Sequence, residues 1–107
     1  MNKDKIIKSS KTYSEIISKK QSYKNNYFSL YYQQSEKTLF GITVPKKVGK
    51  AHIRNKLKRQ IKNIISNNEK NIQNKTSYVI IVKETALDLT YLEKETKLIE
   101  LFKKVRD

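Results

Sequence analysis

The chain contains no cysteine and no tryptophan, and it has only one proline and two glycines in 107 residues. Without cysteine there can be no disulfide scaffold and no zinc or iron–sulfur site bound through thiolates. This absence is typical of a protein in a reducing compartment, and cytoplasm is the expected location. A chain of this length can bury one hydrophobic core, so a single domain covering residues 1–107 is expected.

Long apolar runs are also missing from the sequence. No stretch of about 18 apolar residues occurs, and the N-terminal residues carry charge without the apolar segment of a signal peptide. We therefore expect neither a membrane-spanning segment nor export.

Side chains suited to protein-based catalysis are scarce. His52 is the sole histidine, so no charge-relay set can be assembled around it. The glutamates at positions 93, 95 and 100 are expected on an ion-paired surface of the last helix, without the spacing of a carboxylate pair or a metal-ligand cluster. The sequence therefore predicts no catalytic residue and no metal ligand in the protein.

Negative charge is absent from the middle of the chain, where positive charge is concentrated. The net charge is +14, and residues 37–62 contain nine Lys and Arg and no acid. From position 84 onward, six acids and five bases nearly balance. An isolated charge run usually marks a solvated surface, but charge without compensating acids favours a polyanionic partner, with RNA, DNA and membranes all compatible.

Three helices are predicted from apolar residues at helical spacing. Residues 1–11 are expected to form a loosely packed arm, and a capping box at residues 12–15 is expected to begin the first helix, which ends by Lys20. The second helix is predicted at about residues 50–66, and a capping box at residues 90–93 begins the third. The predicted core residues of this last helix are Tyr91, Leu92, Leu98, Ile99, Phe102 and Val105.

Four strands are predicted between these helices. A short strand is expected at residues 21–24, and the runs 27–32 and 39–44 are predicted to form an antiparallel pair. The apolar run 78–82 is expected at the centre of the sheet, covered on both faces. Alternation places on the core face Phe28, Leu30, Tyr32, Phe40, Ile42 and Val44. It places on the opposite face, a small tyrosine-bearing platform, Tyr27, Ser29, Tyr31, Leu39, Gly41 and Thr43.

The second helix is strongly two-sided. At about 100° per residue, one stripe collects the apolar side chains of Ile53, Leu57, Ile61, Ile64 and Ile65. The opposite side collects Arg54, Asn55, Lys58, Arg59 and Lys62. The fold class that follows from the element order α-β-β-β-α-β-α is α+β, a single-domain sandwich with helices layered on one sheet.

The run at residues 46–65, with Arg-Asn-Lys-Leu-Lys-Arg at its centre, resembles the Arg-Asn-Arg signature of the bacterial ribonuclease P protein component. The element order, the aromatic strand before this run and the Tyr-Val-Ile-Ile-Val strand after it are also similar, so the resemblance covers nearly the whole chain. It implies a ribosomal protein S5 domain 2-like topology with a left-handed β-α-β crossover that carries the signature helix.

The resemblance implies a protein subunit of ribonuclease P. In that family, a catalytic RNA removes the 5′ leader of precursor tRNA, and divalent metal ions, expected to be Mg²⁺, are held mainly by the RNA. Neither a membrane nor an obligatory protein partner is implied. The implied contacts to the RNA subunit are Lys46, Lys47, Arg54, Asn55, Lys56, Lys58, Arg59 and Lys62. The implied leader-binding cleft contains Tyr13, Ile17, Tyr27 and Tyr31.

Two of these positions depart from the family pattern. Lys56 stands where the family usually has arginine, so the bidentate grip of a guanidinium on phosphate is replaced by a single ammonium. Ile17 stands where an aromatic residue is common, which leaves apolar packing in place of stacking.

Simpler structural roles are also compatible with these residues, and other functions with the chain. Tyr13 and Tyr31 could pack at the core or its rim, and Gly41 could either admit a ribose or base to the backbone or simply accommodate the strand. The alternative functions are a structural RNA-binding protein, such as a small ribosomal protein, and a nuclease that works without RNA.

Overall fold

A computed structural model of the chain describes residues 5–105 and contains three helices and a four-stranded mixed sheet. The helices and strands, in chain order, are α1 (Ser10–Ser18), β1 (Ser22–Lys24), β2 (Phe28–Gln34), β3 (Leu39–Thr43), α2 (Ala51–Asn67), β4 (Thr76–Val82) and α3 (Tyr91–Phe102). The predicted element order is therefore confirmed. Over the described range, no helix is both long and apolar enough to cross a bilayer.

The sheet order is β1-β2-β4-β3, which corrects one prediction about pairing. The runs predicted as an antiparallel pair, β2 and β3, do not touch, because β4 lies between them, antiparallel to β2 and parallel to β3. The physical reason is that β4 is the most apolar strand and gains most from cover on both faces and both edges. Its predicted central position is confirmed.

The turn between β2 and β3 shows how one chain segment spans the inserted strand. The Ser35 backbone N–H donates to the Lys75 carbonyl over 2.9 Å, and the Lys75 N–H donates to Thr38 Oγ1 over 2.9 Å. The turn therefore closes over the start of β4. The parallel strands β3 and β4 are joined through α2, as the resemblance implies, and the left-handed sense of this crossover stays a prediction.

The predicted core face of the sheet is confirmed by the strand register. Leu30 lies opposite Ile80 on β4, which in turn lies opposite Ile42 on β3. The rings of Phe40 and Tyr78 stack at 5.5 Å between centroids. The Phe102 ring of α3 meets both edge-on, so α2 and α3 close the main core on this side.

The first helix covers the opposite face of the sheet and begins earlier than predicted. Its N-cap is Ser9, whose Oγ accepts from the Thr12 N–H over 3.3 Å, so the predicted capping box starting at Thr12 is wrong. Serine is as good an N-cap as threonine, and the earlier start lengthens a short helix. Ile16 and Val79 are fully buried but lie outside the main core.

The third helix begins at the predicted capping box, in which Thr90 and Glu93 each accept from the other's backbone N–H. The prediction for Leu92 is wrong, because this side chain is 70% exposed. The other predictions are confirmed, because Tyr91 packs against the core cluster and the buried side chains include Leu98, Ile99, Phe102 and Val105. Lys94 and Leu101, which were not predicted, are also buried, at spacings of four and three residues from Leu98.

The glutamates of α3 do not form the predicted ion pairs. Glu95 Oε2 accepts from Asn68 Nδ2 over 2.9 Å, and Glu100 Oε1 accepts from Asn25 Nδ2 over 3.3 Å. Both partners are neutral amides, because the nearby loops bring asparagines to this helix. Within residues 5–105 the recorded ion pair is the exposed contact from Lys5 Nζ to Glu69 Oε1 at 3.1 Å.

The N-terminal arm is attached more firmly than predicted. Ile6 forms a parallel bridge to Phe40, and the Ile7 N–H donates to the Phe40 carbonyl over 2.9 Å. The cause is the free edge of β3, whose backbone groups need partners. Residues 1–4 of the predicted arm lie outside the described residues.

Candidate nucleic-acid interface

Helix α2 is fixed to the core by its apolar stripe, which leaves its polar side facing outward. Leu57, Ile61, Ile64 and Ile65 are buried, and Ile53 packs against the core cluster. Of the predicted contacts to the RNA subunit on α2, Arg54 and Lys58 are half-buried. The exposed members are Asn55, Lys56, Arg59 and Lys62.

The loop before α2 carries the remaining predicted contacts, Lys46 and Lys47, both exposed. The loop approaches α2 closely at Gly49, where a Cβ would lie 3.1 Å from Ile53 Cγ2. Arg54 Nε donates to the Gly49 carbonyl over 3.1 Å, which ties this guanidinium to the loop. The loop and the first turns of α2 therefore form one continuous surface, called here the basic surface: Lys46, Lys47, Arg54, Asn55, Lys56, Lys58, Arg59 and Lys62.

No acid neutralises the basic surface. Positions 37–68 lack Asp and Glu, and the ion pair recorded in the described part of the chain involves neither the loop nor α2. The guanidinium Nη groups of Arg54 and the ammonium groups of the exposed lysines therefore keep their donors for an external acceptor.

On the sheet face under α1, the ring of Tyr13 occupies the space over Gly41. A Cβ at Gly41 would lie 2.5 Å from Tyr13 Cε2, so the glycine admits an internal ring and not a ribose or base. The ligand-approach interpretation of Gly41 is thus wrong, and strand accommodation explains it. Among the described residues, the buried Tyr13 hydroxyl has no hydrogen-bond partner, and burial raises the pKa of Tyr13 above its usual value.

The other predicted cleft residues are separated by the structure. Tyr31 is half-buried on β2, and Lys24 Nζ lies 5.4 Å from its ring centroid. Tyr31 and Gly41 both lie opposite Val79, so they sit two strand spacings apart, about 10 Å. Ile17 is half-buried one turn after Tyr13 on α1. Tyr13, Ile17 and Tyr31 thus share the strip of the sheet on the α1 side, but Tyr31 is set apart from the Tyr13 ring over Gly41.

Tyr27 does not belong to this strip. It precedes β2, is half-buried, and packs against the main core cluster. Its predicted place on the tyrosine-bearing platform is therefore wrong. The reason is that the residue lies at the strand end, where the Asn25 side chain accepts from the N–H groups of Tyr27 and Phe28 in a tight turn.

A groove of about 510 Å³ joins the platform to the basic surface, and sequence reasoning missed it. Its floor includes Ser29 and Ile81 of the platform side, and its rim includes Pro45 and Lys47 of the loop before α2. The groove lies where the parallel strands β3 and β4 both end, a position that becomes visible only once their pairing is known. Lys47 is the residue shared by the groove and the basic surface.

Comparison with known proteins decides the family. The family model described as Ribonuclease P matches residues 1–106. The chain belongs to the bacterial ribonuclease P protein family. It is 38% identical over 109 residues to the ribonuclease P protein component of Mycoplasma capricolum, with 99% of this chain and 100% of that protein covered.

Solved structures agree with this assignment. The ribonuclease P protein of Thermotoga maritima superposes with a TM-score of 0.87 at 25% identity, covering 94% of this chain and 97% of that one. The Staphylococcus aureus protein gives a TM-score of 0.84 at 28% identity, with coverages of 92% and 93%. The α+β sandwich predicted from the sequence and the resemblance is confirmed.

As a ribonuclease P protein, the chain is a component of a tRNA-processing endoribonuclease complex and partners a ribonuclease P RNA. In the part of the chain described, no group of three His, Cys, Asp or Glu side chains is arranged to hold a metal ion. His52 is exposed in the first turn of α2.

Proposed function

We propose that the chain binds the catalytic RNA through its basic surface and holds the 5′ leader of precursor tRNA beside it, thereby promoting endonucleolytic removal of the leader. The RNA subunit carries out the cleavage in this proposal. Divalent ions, expected to be Mg²⁺ and held mainly by the RNA, would supply the charge neutralisation that phosphodiester hydrolysis requires. The proposed location is cytoplasmic.

One observation carries the proposal: the basic surface is continuous along α2 and its preceding loop, six of its eight residues are exposed, and its sequence contains no acid. Phosphate contacts from Lys and Arg dominate protein–nucleic acid affinity and position the partner without reading its sequence. Because α2 is held rigidly by its buried stripe, these cations keep a fixed spacing. Such a surface suits a folded RNA with a fixed array of phosphates.

The groove supports leader binding next to this surface. A single strand that enters along Lys47 would pass Ser29 on the platform side of the sheet, two residues along β2 from the half-buried ring of Tyr31. Stacking of a base on such a ring contributes about 1–3 kcal/mol and tolerates any base, as a leader of variable sequence requires. Tyr13 and Ile17 support this strip by packing, and they keep α1 in place.

The protein's own side chains are assigned binding and positioning, not proton transfer. The basic surface would neutralise phosphates that otherwise repel one another where leader and RNA subunit approach. The groove would fix the path of the leader relative to that surface. Together these contacts favour productive binding of a precursor over a mature tRNA.

Cleavage in a reconstituted system tests the proposal. The chain is added to a bacterial ribonuclease P RNA at low magnesium concentration, and removal of the leader from a precursor tRNA is followed. We expect cleavage to be restored, and we expect the complex to bind precursor more tightly than mature tRNA. The chain without RNA, in magnesium, is the control, and we expect no cleavage from it.

Two outcomes would contradict the proposal. If a closely matched RNA gains no activity from the protein, the chain acts as a structural RNA-binding protein. If precursor and mature tRNA bind with equal affinity while cleavage is restored, the basic surface works as proposed but the leader site does not.

A further inference from the structure

A buried lysine lies where α2 meets α3. Lys94, on α3, is only 7% exposed, and its Nζ donates to Gln60 Oε1 of α2 over 3.0 Å. Its aliphatic stem continues the stripe formed by Leu98 and Leu101, which are fully buried. Lysine is among the residues least often found at such a position unless its charge is paired.

Within residues 5–105, no acidic side chain forms an ion pair with Lys94. The glutamates on its own helix are engaged elsewhere, since Glu93 caps the helix and Glu95 accepts from Asn68. The acceptor recorded for Lys94 within the described residues is the neutral amide of Gln60, although an ammonium group offers three donors. Lys94 therefore keeps unused hydrogen-bonding capacity next to α2.

A second lysine, Lys56, lies near Gln60 on α2. Lys56 precedes Gln60 by one helical turn, so the two side chains share a side of α2. Burial, and after it the positive charge of Lys56, lower the pKa of Lys94 from its usual value. Gln60 is thus flanked by two lysines from different helices, Lys94 through a hydrogen bond and Lys56 one turn earlier on α2.

A purely structural link between the helices would not need this arrangement. A hydrogen bond to Gln60 can be made by a neutral side chain, and replacing an unpaired buried charge with an apolar group often stabilises a protein. In the free protein, repulsion from Lys56 adds to the free-energy cost of burying the Lys94 charge. A bound anion would offset both effects, because each ammonium could donate to it.

We propose that Lys94 and Lys56 together bind one phosphate group of the RNA subunit, with Gln60 orienting the Lys94 ammonium. This inference rests on the proposed function for the source of the phosphate. It adds α3 to an interface otherwise built from α2 and its preceding loop. It also explains how a lysine serves at position 56, since a second ammonium from another helix supplies the additional donors that a guanidinium would have provided.

The first experiment uses inorganic sulfate and needs no RNA. Thermal midpoints are measured in sodium sulfate and in sodium chloride at matched ionic strength, for the unaltered protein, Lys94→Met and the matched control Lys103→Met. Lys103 is an exposed lysine that follows α3. We expect the rise in Tm in sulfate to be the same in Lys103→Met as in the unaltered protein and smaller in Lys94→Met. The part that remains in all three comes from the general stabilisation of folded proteins by sulfate and from the other cations of the basic surface. Equal rises in all three proteins would overturn the subsite.

The second experiment uses the catalytic RNA. Lys94→Met should weaken its binding about 10- to 100-fold, as for loss of a hydrogen bond to a charged group. It should also lower the slope of log affinity against log salt by about 0.9. Lys56→Met combined with Lys94→Met should lose less than the sum of the single changes, because both ammonium groups serve one phosphate.

The outcomes separate this subsite from the proposed function. If the unaltered protein forms no complex with the RNA, the proposed function fails, while the sulfate measurement still decides the anion subsite. If the unaltered protein binds and Lys94→Met keeps the same affinity and slope, Lys94 is a structural link only. If Lys94→Met fails to fold, Lys94→Gln is used in its place, because it retains a hydrogen-bonding group for Gln60. The thermal midpoint in sulfate and the RNA affinity over a salt series are then measured on this variant.

Discussion

The basic surface and the α1 side of the sheet are both assigned to RNA by family resemblance, but their side chains have different surroundings. The cations of α2 extend outward without acidic partners. The aromatic rings across the sheet already have internal partners, since Tyr13 lies on Gly41 and Lys24 lies over Tyr31. Charges without internal partners favour an external ligand. An aromatic ring that already has an internal partner contributes first to packing and can bind a ligand only through its remaining exposed surface.

Removing charge from the basic surface should have the largest effect. Arg54→Ala with Arg59→Ala should weaken assembly with the catalytic RNA by roughly 3–6 kcal/mol, if each residue loses one charge-assisted phosphate contact. The slope of log affinity against log salt should fall by about 0.9 for each contact. Binding measured over a salt series gives both quantities.

The matched control removes the same charge from an exposed place outside the basic surface, as Lys103→Ala with Lys104→Ala. It should change the slope little. A double arginine variant with an unchanged slope would mean that the basic surface is only a solvated helix side, and the contrast with the sheet would disappear.

The next change tests the packing role of the sheet side. Gly41→Ala places a methyl group where the Tyr13 ring lies, so the ring and α1 must shift. We expect the free energy of unfolding to fall by about 1–3 kcal/mol, measured by urea titration. In a protein that already carries Tyr13→Ala, the same glycine substitution should have little further effect. An equal loss in both backgrounds would show that Tyr13 is not the obstacle.

Tyr31 is the aromatic residue where packing and binding can be separated. Tyr31→Ala should weaken binding of a leader-bearing precursor by about 1–3 kcal/mol, through loss of one stacked base. Affinity for the RNA subunit alone should change little. Tyr27→Ala is the comparison, because Tyr27 packs against the core and its loss should lower stability. If Tyr31→Ala lowers both affinities together, Tyr31 also serves structure.

A change outside both regions, at the start of α3, should have the smallest effect. Thr90→Ala removes the N-cap of α3 and should lower stability by about 1 kcal/mol, with no change in RNA binding. A loss of RNA affinity in this variant would show that the helix terminus contributes to the interface.

The same cap gives a pH dependence of known sign. Hydrogen bonds from the Thr90 backbone, and then from its side chain, hold the pKa of Glu93 below its ordinary value of 4.5. Because the folded pKa is the lower one, this contribution is present above about pH 4.5 and is lost as pH falls through the folded value. Glu93→Gln should therefore flatten the pH dependence of stability in that acidic range, measured by urea titration. An unaltered profile would contradict the capping role.

Local patterns predicted much of this fold and of the basic surface. The amphipathic period of α2 located both its buried stripe and its outward cations, and the capping box located the start of α3. Strand alternation placed the core face correctly. These features depend on residues a few positions apart, so periodicity and capping chemistry are sufficient to find them.

Two errors were local, the start of α1 at Ser9 and the turn that displaces Tyr27, and the others arose where distant segments meet. The insertion of β4 between β2 and β3 depends on which strand gains most from a central place, and chain order favours the neighbouring pair. The burial of Lys94 in place of Leu92 depends on how α3 is rotated against the core and α2. The groove beside Lys47 exists only because two strands that are far apart in sequence end together.

The sequence by itself determined the element order, the family, and the concentration of uncompensated charge on α2, because composition and local spacing are sufficient for these. The tertiary structure alone decided which aromatic rings have internal partners, where the groove opens, and which lysine of α3 bonds to Gln60 of α2. These properties depend on how the elements are placed relative to one another. Burial of apolar surface brings the elements together, and because this force is non-directional, local sequence patterns do not specify the placement.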